Sequence, residues 1–103
     1  MIKELTTKEF AEAINVPLTL VKFHTQTCIP CKMVAPTYEK VSEQYPTIPF
    51  YSIDAEVEFG LTALNNIMSV PVIIAFVNGK EVARVGGMVQ ENHIIALIEG
   101  SEI

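Results

Sequence analysis

The 103-residue chain has no tryptophan, only two cysteines and two histidines, and only seven basic residues against twelve acidic ones. The shortage of positive charge, net −5, argues against nucleic acid and anionic lipid as partners, because an acidic surface repels both. Like charges never accumulate into a tail, and no Ser/Gly/Pro-rich linker, repeat or low-complexity run interrupts the chain. One folding unit over residues 1–103 is therefore expected. With 50% hydrophobic and 18% charged residues, the chain can support one core and has no room for a second. Its first residues carry Lys3, Glu4, Lys8 and Glu9 and no apolar run of signal-peptide type, which predicts retention in a reducing cytosol. One stretch without charge, Phe59 to Gly79, is long enough to be weighed as a membrane span. Asn65, Asn66, Ser69 and Pro71 break it, and a helical turn followed by a buried strand accounts for it better.

What is present reads as alternating strands and helices. Thr6 and Glu9 have capping-box spacing, with Leu5 and Phe10 placed as a hydrophobic staple, so a short helix is predicted to about Ile14, ahead of Pro17. Leu18 to Phe23 is apolar on both faces except at Lys22, as a covered central strand requires. Val34, Tyr38, Val41 and Tyr45 fall on one stripe while Glu39, Lys40, Glu43 and Gln44 fall outside it. That pattern predicts an amphipathic helix, with a kink expected at Pro36. A strand is predicted over Ile48–Asp54, a weaker helix over Phe59–Ile67, and a strand over Val70–Val77. The last of these runs into Asn78-Gly79, a hairpin signal, after which Val82 to Val85 pairs back antiparallel. Ile94, Ile95 and Ile98 mark a final helix with no good capping residue at its start. The expected fold is α/β, a mixed central sheet with helices on both faces, in the order βαβαβαββα.

The chemistry sits at Cys28-Ile29-Pro30-Cys31-Lys32, at a strand-to-helix step. Unpaired amide N–H groups and the positive end of the helix dipole favour a thiolate on the first sulfur, and the second lies one turn on. Attack by Cys28 on an external disulfide gives a mixed disulfide; Cys31 then closes the bridge and releases a reduced partner. A structural bridge and half a zinc site are the competing readings. A zinc site needs four ligands, and beyond the cysteines only His24 and His93 exist, the second in the last helix. His24, at the end of a strand, is read either as a group that raises the thiolate fraction of Cys28 when protonated or as a polar strand-end side chain. His93 is read as surface. Tyr38, Tyr45, Phe10 and Phe76 lie on apolar stripes and are read as core. Asp54, Glu56 and Glu58 form the densest acidic cluster, and their spacing fits no calcium loop.

These residues, in this order and spacing, resemble the thioredoxin family over nearly the whole chain. Cys28-Ile29-Pro30-Cys31-Lys32 stands where the family has its active-site Cys-Gly-Pro-Cys-Lys, and Met33-Val34-Ala35-Pro36 looks like its kinked second helix. Val70-Pro71 stands at its cis-proline, Asn78-Gly79 at its hairpin, and Val85-Gly86-Gly87 at a glycine beside the active site. The resemblance implies the thioredoxin fold, with Cys28 as exposed nucleophile and Cys31 as buried resolving thiol. It also implies that Pro71 is the neighbour presenting backbone to an extended substrate. A cis bond there would offer the carbonyl and amide of Val70 to a substrate strand, and Gly86 would leave the approach open. Four departures stand out. Thr27 and His24 occupy aromatic positions, Ile29 replaces the glycine between the cysteines, Lys22 replaces the buried aspartate, and Phe50 replaces the lysine that faces it. The usual carboxylate base for the resolving thiol is thus missing. The implied function is a thiol–disulfide oxidoreductase reducing disulfide-containing proteins, binding no cofactor and recharged by a flavin-dependent reductase or another dithiol donor. The alternative is an adaptor that keeps the groove of Ile29, Pro30, Val70 and Gly86 but turns over poorly. Lys22, beneath the cysteines, is expected to have its own pKa lowered and to favour the thiolates.

Overall fold

A computed structural model describes residues 2–102. Five strands form one sheet in the order β1-β3-β2-β4-β5: β1 Lys3–Glu4, β2 Thr19–His24, β3 Phe50–Asp54, β4 Val72–Val77 and β5 Lys80–Gly86. The pairs β1–β3 and β2–β3 are parallel, and β2–β4 and β4–β5 antiparallel. Between them come α1 Thr7–Ile14, α2 Ile29–Gln44, α3 Phe59–Leu64 and α4 Glu91–Ser101, which is the order read from the sequence. The strands β3 and β4 each begin two residues later than predicted. Both predicted starts reach back to or past a proline, Pro49 and Pro71, whose ring supplies no N–H to a ladder.

Alternation along the strands sorts side chains to two faces. Val21, Phe23, Ile53, Val72, Ile74 and Phe76 pack with Phe10 and Ile14 of α1 and Leu61 of α3. On the other face Leu20, Phe50, Ile73 and Ala75 pack with Val34, Tyr38 and Val41 of α2 and with Ile94, Leu97 and Ile98 of α4. The entry to α1 follows its sequence signature. The Thr6 N–H donates to Glu9 Oε1 at 3.0 Å, and Leu5 and Phe10 are both buried in the first of these layers. The start of α4 had no legible cap; there the Gln90 N–H donates to His93 Nδ1 at 3.0 Å, an imidazole standing where a capping box has Glu or Gln. The helix α2 continues through Pro36. At the hairpin Asn78 and Gly79 both take positive φ, 51° and 84°, as a two-residue turn matched to strand twist requires. Among the described residues no helix is long and apolar enough to cross a membrane.

Candidate active site

A short connection, Thr25 to Cys28, leads from β2 into α2, and the two cysteines stand at the N-cap and in the first turn of that helix. Cys28 is the N-cap residue, and its sulfur accepts from the Cys31 N–H at 3.1 Å. The two are joined as a disulfide, with Cα atoms 5.2 Å apart. Burial separates them: Cys28 is half-buried, whereas Cys31 is 3% exposed.

Around Cys28 the structure brings together the groove residues read from the sequence. The Val70–Pro71 bond is cis, Pro71 is buried, and the Val70 carbonyl lies 3.8 Å from Cys28 Sγ. Gly86, at the end of β5 and paired with Val72, lies against the Pro71 backbone and the Val72 side chain. A β-carbon there would approach the Pro71 oxygen at 3.5 Å. Gly87 donates to that same oxygen at 3.0 Å. Ile29 and Pro30 are exposed, Ile29 by 68%. Met33 and Met88 are also largely exposed.

Behind Cys31 lies a second feature. The residues Glu4, Lys22, His24 and Ser52 share one face of three neighbouring strands, because each is an even-numbered step along β1, β2 or β3 and Ser52 is paired with both Glu4 and Lys22. With Cys31, Lys32, Ala35 and Glu39 of α2 they line a cleft of about 260 Å³. Glu4 reaches across β3, its carboxylate oxygens 3.0 and 3.1 Å from His24 Nε2, and it also accepts from Ser52 Oγ. Lys22 is 6% exposed, with its Nζ 5.0 Å from the centre of the Tyr38 ring. Burial pushes its pKa down, while the carboxylates of Glu4 and Glu39 work in the opposite direction. Lys22 and His24 therefore both lie on the Cys31 side of the disulfide. Phe50, which takes the other departed position, is opposite Leu20 and packs on Tyr38, with ring centres 5.1 Å apart.

Glu4, Glu39 and Ser52 were not legible as site residues. No spacing links Glu4 to His24, twenty residues later; the sheet order does. The arrangement holds one accessible and one sheltered sulfur on a helix start, a groove edge at Val70, and a polar cleft behind. Among the described residues no three His, Cys, Asp or Glu side chains converge as a metal site.

A family model described as Thioredoxin matches residues 1–100. The chain is 43% identical over 83 residues to thioredoxin-1 of Saccharomyces cerevisiae, covering 80% of this chain and 81% of that protein. It is 30% identical over 98 residues to the thioredoxin of Chlamydia trachomatis, covering 95% and 96%. Among solved structures, Plasmodium falciparum thioredoxin superposes with a TM-score of 0.89 at 32% identity, covering 96% of this chain and 98% of that one.

Proposed function

From its membership of the thioredoxin family, to which this chain belongs and whose fold and thiol–disulfide oxidoreductase activity it shares, we infer that it works as a reductase of disulfide-containing proteins with Cys28 as the attacking sulfur. The observation that carries the direction of attack is the burial contrast, a half-buried Cys28 at the helix cap against a Cys31 that is 3% exposed. In the reduced protein the Cys28 thiolate attacks a partner disulfide, one partner sulfur leaves as thiolate, and Cys31 then displaces the other from Cys28. The N-terminal end of α2 favours charge on Cys28 in the first step.

The groove residues Ile29, Pro30, Val70, Pro71 and Gly86 bind the partner. The Val70 carbonyl beside Cys28 Sγ is placed to pair with an extended segment, and Gly86 borders that approach without a side chain. Lys22 and His24 modulate the thiols from the cleft. A flavin-dependent thioredoxin reductase or another dithiol donor restores the reduced pair, and a disulfide that must be reopened at each cycle fits a reducing cytosol.

The test is a pair of variants. Cys28→Ser abolishes exchange, whereas Cys31→Ser accumulates mixed disulfides through Cys28 that are visible as covalent adducts on non-reducing gels. Adducts formed by the Cys28→Ser protein instead would reverse the assignment. Turnover of a protein disulfide with a dithiol donor separates this reading from an adaptor that only binds in the groove.

A further inference from the structure

The closing step of the cycle needs the Cys31 thiolate, because a protonated thiol is a poor nucleophile. Cys31 is 3% exposed, so bulk water does not reach it freely, and the cleft on the far side from Cys28 is its outlet. We propose that the Cys31 proton leaves through this cleft to His24, with Glu4 as the residue that holds the imidazole in the accepting tautomer. This rests on the reading of Cys31 as the resolving thiol.

The hydrogen bonds fix the tautomer. A carboxylate only accepts, so the short contacts from both Glu4 oxygens place the hydrogen on His24 Nε2 and leave the lone pair of the neutral ring on Nδ1. The ring is 16% exposed at its side chain and shares the cleft wall with Cys31. A volume of about 260 Å³ has room for several waters, each displacing about 30 Å³, which makes relay through water the route rather than direct contact. Once protonated, the ring keeps its Nε2–H bond to Glu4.

The other ionisable groups lining this space are Lys22 from β2 and Lys32 and Glu39 from α2, and Asp54 of β3 stands beside His24 in the ladder. Lys22 is buried deepest, and burial pushes its pKa down against the opposing carboxylates of Glu4 and Glu39, but its ammonium has no lone pair until it loses a proton. Lys32 has the same chemistry and lies exposed; Glu39 is exposed on the outer rim. Asp54 accepts from Gln26 Nε2 at 3.1 Å and from the N–H groups of Glu56 and Val57, which commits its oxygens. Among these groups imidazole is also the one whose basicity lies nearest that of a thiol at neutral pH without being permanently charged.

The step balances as follows. The Cys31 S–H bond breaks and its proton passes through cleft water to His24 Nδ1. The Cys31 sulfur attacks Cys28 Sγ, a Cys28–Cys31 bond forms, and the bond from Cys28 to the partner breaks. The partner sulfur departs with the electron pair and takes a proton from solvent, so the partner is reduced and the cysteine pair oxidised by two electrons. The imidazolium returns its proton to solvent through the mouth of the cleft.

The experiment mixes reduced protein with an aromatic disulfide, dithiobis(nitrobenzoate), and follows its coloured thiolate by stopped flow from pH 5 to 9. The first release reports Cys28 and the second Cys31, and Cys31→Ser gives one release only. In His24→Gln the second release is expected to slow by roughly 10- to 100-fold near pH 7, with a changed pH profile and with little change in the first. Glu4→Gln shifts the second-release profile in the same direction by less, and His93→Gln leaves it unmoved. A wild-type profile for the second release in His24→Gln overturns the proposal. So does a profile lost in Lys22→Met or Glu39→Gln but kept in His24→Gln. A second release that persists in Cys31→Ser removes the premise about Cys31 itself, which separates failure of the site assignment from failure of the proton route.

Discussion

Lys22 shows how far one substitution on a covered strand can carry. Its ammonium lies over the Tyr38 ring and shares a cleft with Cys31, between carboxylates on β1 and α2. Any charge it keeps favours thiolates, and stabilising the dithiolate makes the oxidised form a stronger oxidant. The Cys28–Cys31 couple is accordingly expected above the roughly −270 mV of thioredoxin, and Lys22→Met should lower it by roughly 10–30 mV, where 30 mV corresponds to about 1.4 kcal/mol. Equilibration against glutathione or dithiothreitol redox buffers measures it, and an unchanged potential would assign Lys22 to structure alone. The same residue sets a pH dependence of stability. Burial lowers the folded pKa below the ordinary 10.5, so below that lowered value both folded and unfolded chains hold the proton and the buried charge costs stability. As pH rises through the folded pKa the folded protein releases its proton first, and the cost is gone above the unfolded value. Lys22→Met should thus raise the thermal midpoint at pH 7, with the gain shrinking as pH climbs toward 10.5. A gain that grows over that range contradicts the sign.

Among the elements, α2 is the one whose placement decides the site, and a single phenol ties it to the sheet. Tyr38 is fully buried, and its hydroxyl donates toward the Tyr51 carbonyl of β3 at 2.7 Å, with the Leu20 carbonyl of β2 at 3.1 Å. Burial holds its pKa well above the usual phenol value, so it remains a donor across the working range. Tyr38→Phe should cost about 1–3 kcal/mol in urea unfolding, the penalty for a buried hydrogen bond lost with its acceptors left in place. A loss of a few tenths would show that the aromatic ring alone anchors the helix. The elements also mark what a sequence can disclose. The apolar runs of β2 and β4, the Thr6–Glu9 box and the Asn78-Gly79 turn declare themselves through local periodicity and turn chemistry. The polar two-residue β1 has no period to read, although a first strand stood in the expected order. The cap of α4 was hidden because Gln90 and His93 are an unusual pair for that task. The cysteine pair and the cis bond at Pro71 were legible because they belong to short motifs in order. The polar cleft was not, since Glu4, Ser52 and His24 become neighbours only when β3 lies between β1 and β2.

At the scale of the molecule, the sheet is strongest where strands are covered on both sides. The strands β2 and β4 bury five of six residues each, while β1 and β5 are edges, exposed along nearly all their length. Native-state hydrogen exchange should therefore show the slowest amides in β2 and β4 and the fastest among strands at β1 and the outer side of β5. Uniform protection across the sheet would contradict this gradient. The chemistry is mounted at the end of the protected strand β2, so opening of an edge leaves the cysteine turn in place. One consequence follows from the sheltered sulfur sitting a single helical turn behind the accessible one. On the proposed roles of Cys28 and Cys31, a captured partner would be held by a tether whose lifetime is an internal clock, for the second attack is intramolecular and an aligned pair can reach an effective molarity of about 10⁵ M or more. Free thiols in the surroundings would not compete with that. The dwell time of any client would then be independent of how much protein or small-molecule thiol is present, and electrons would leave the molecule two at a time, with no half-spent form waiting between clients.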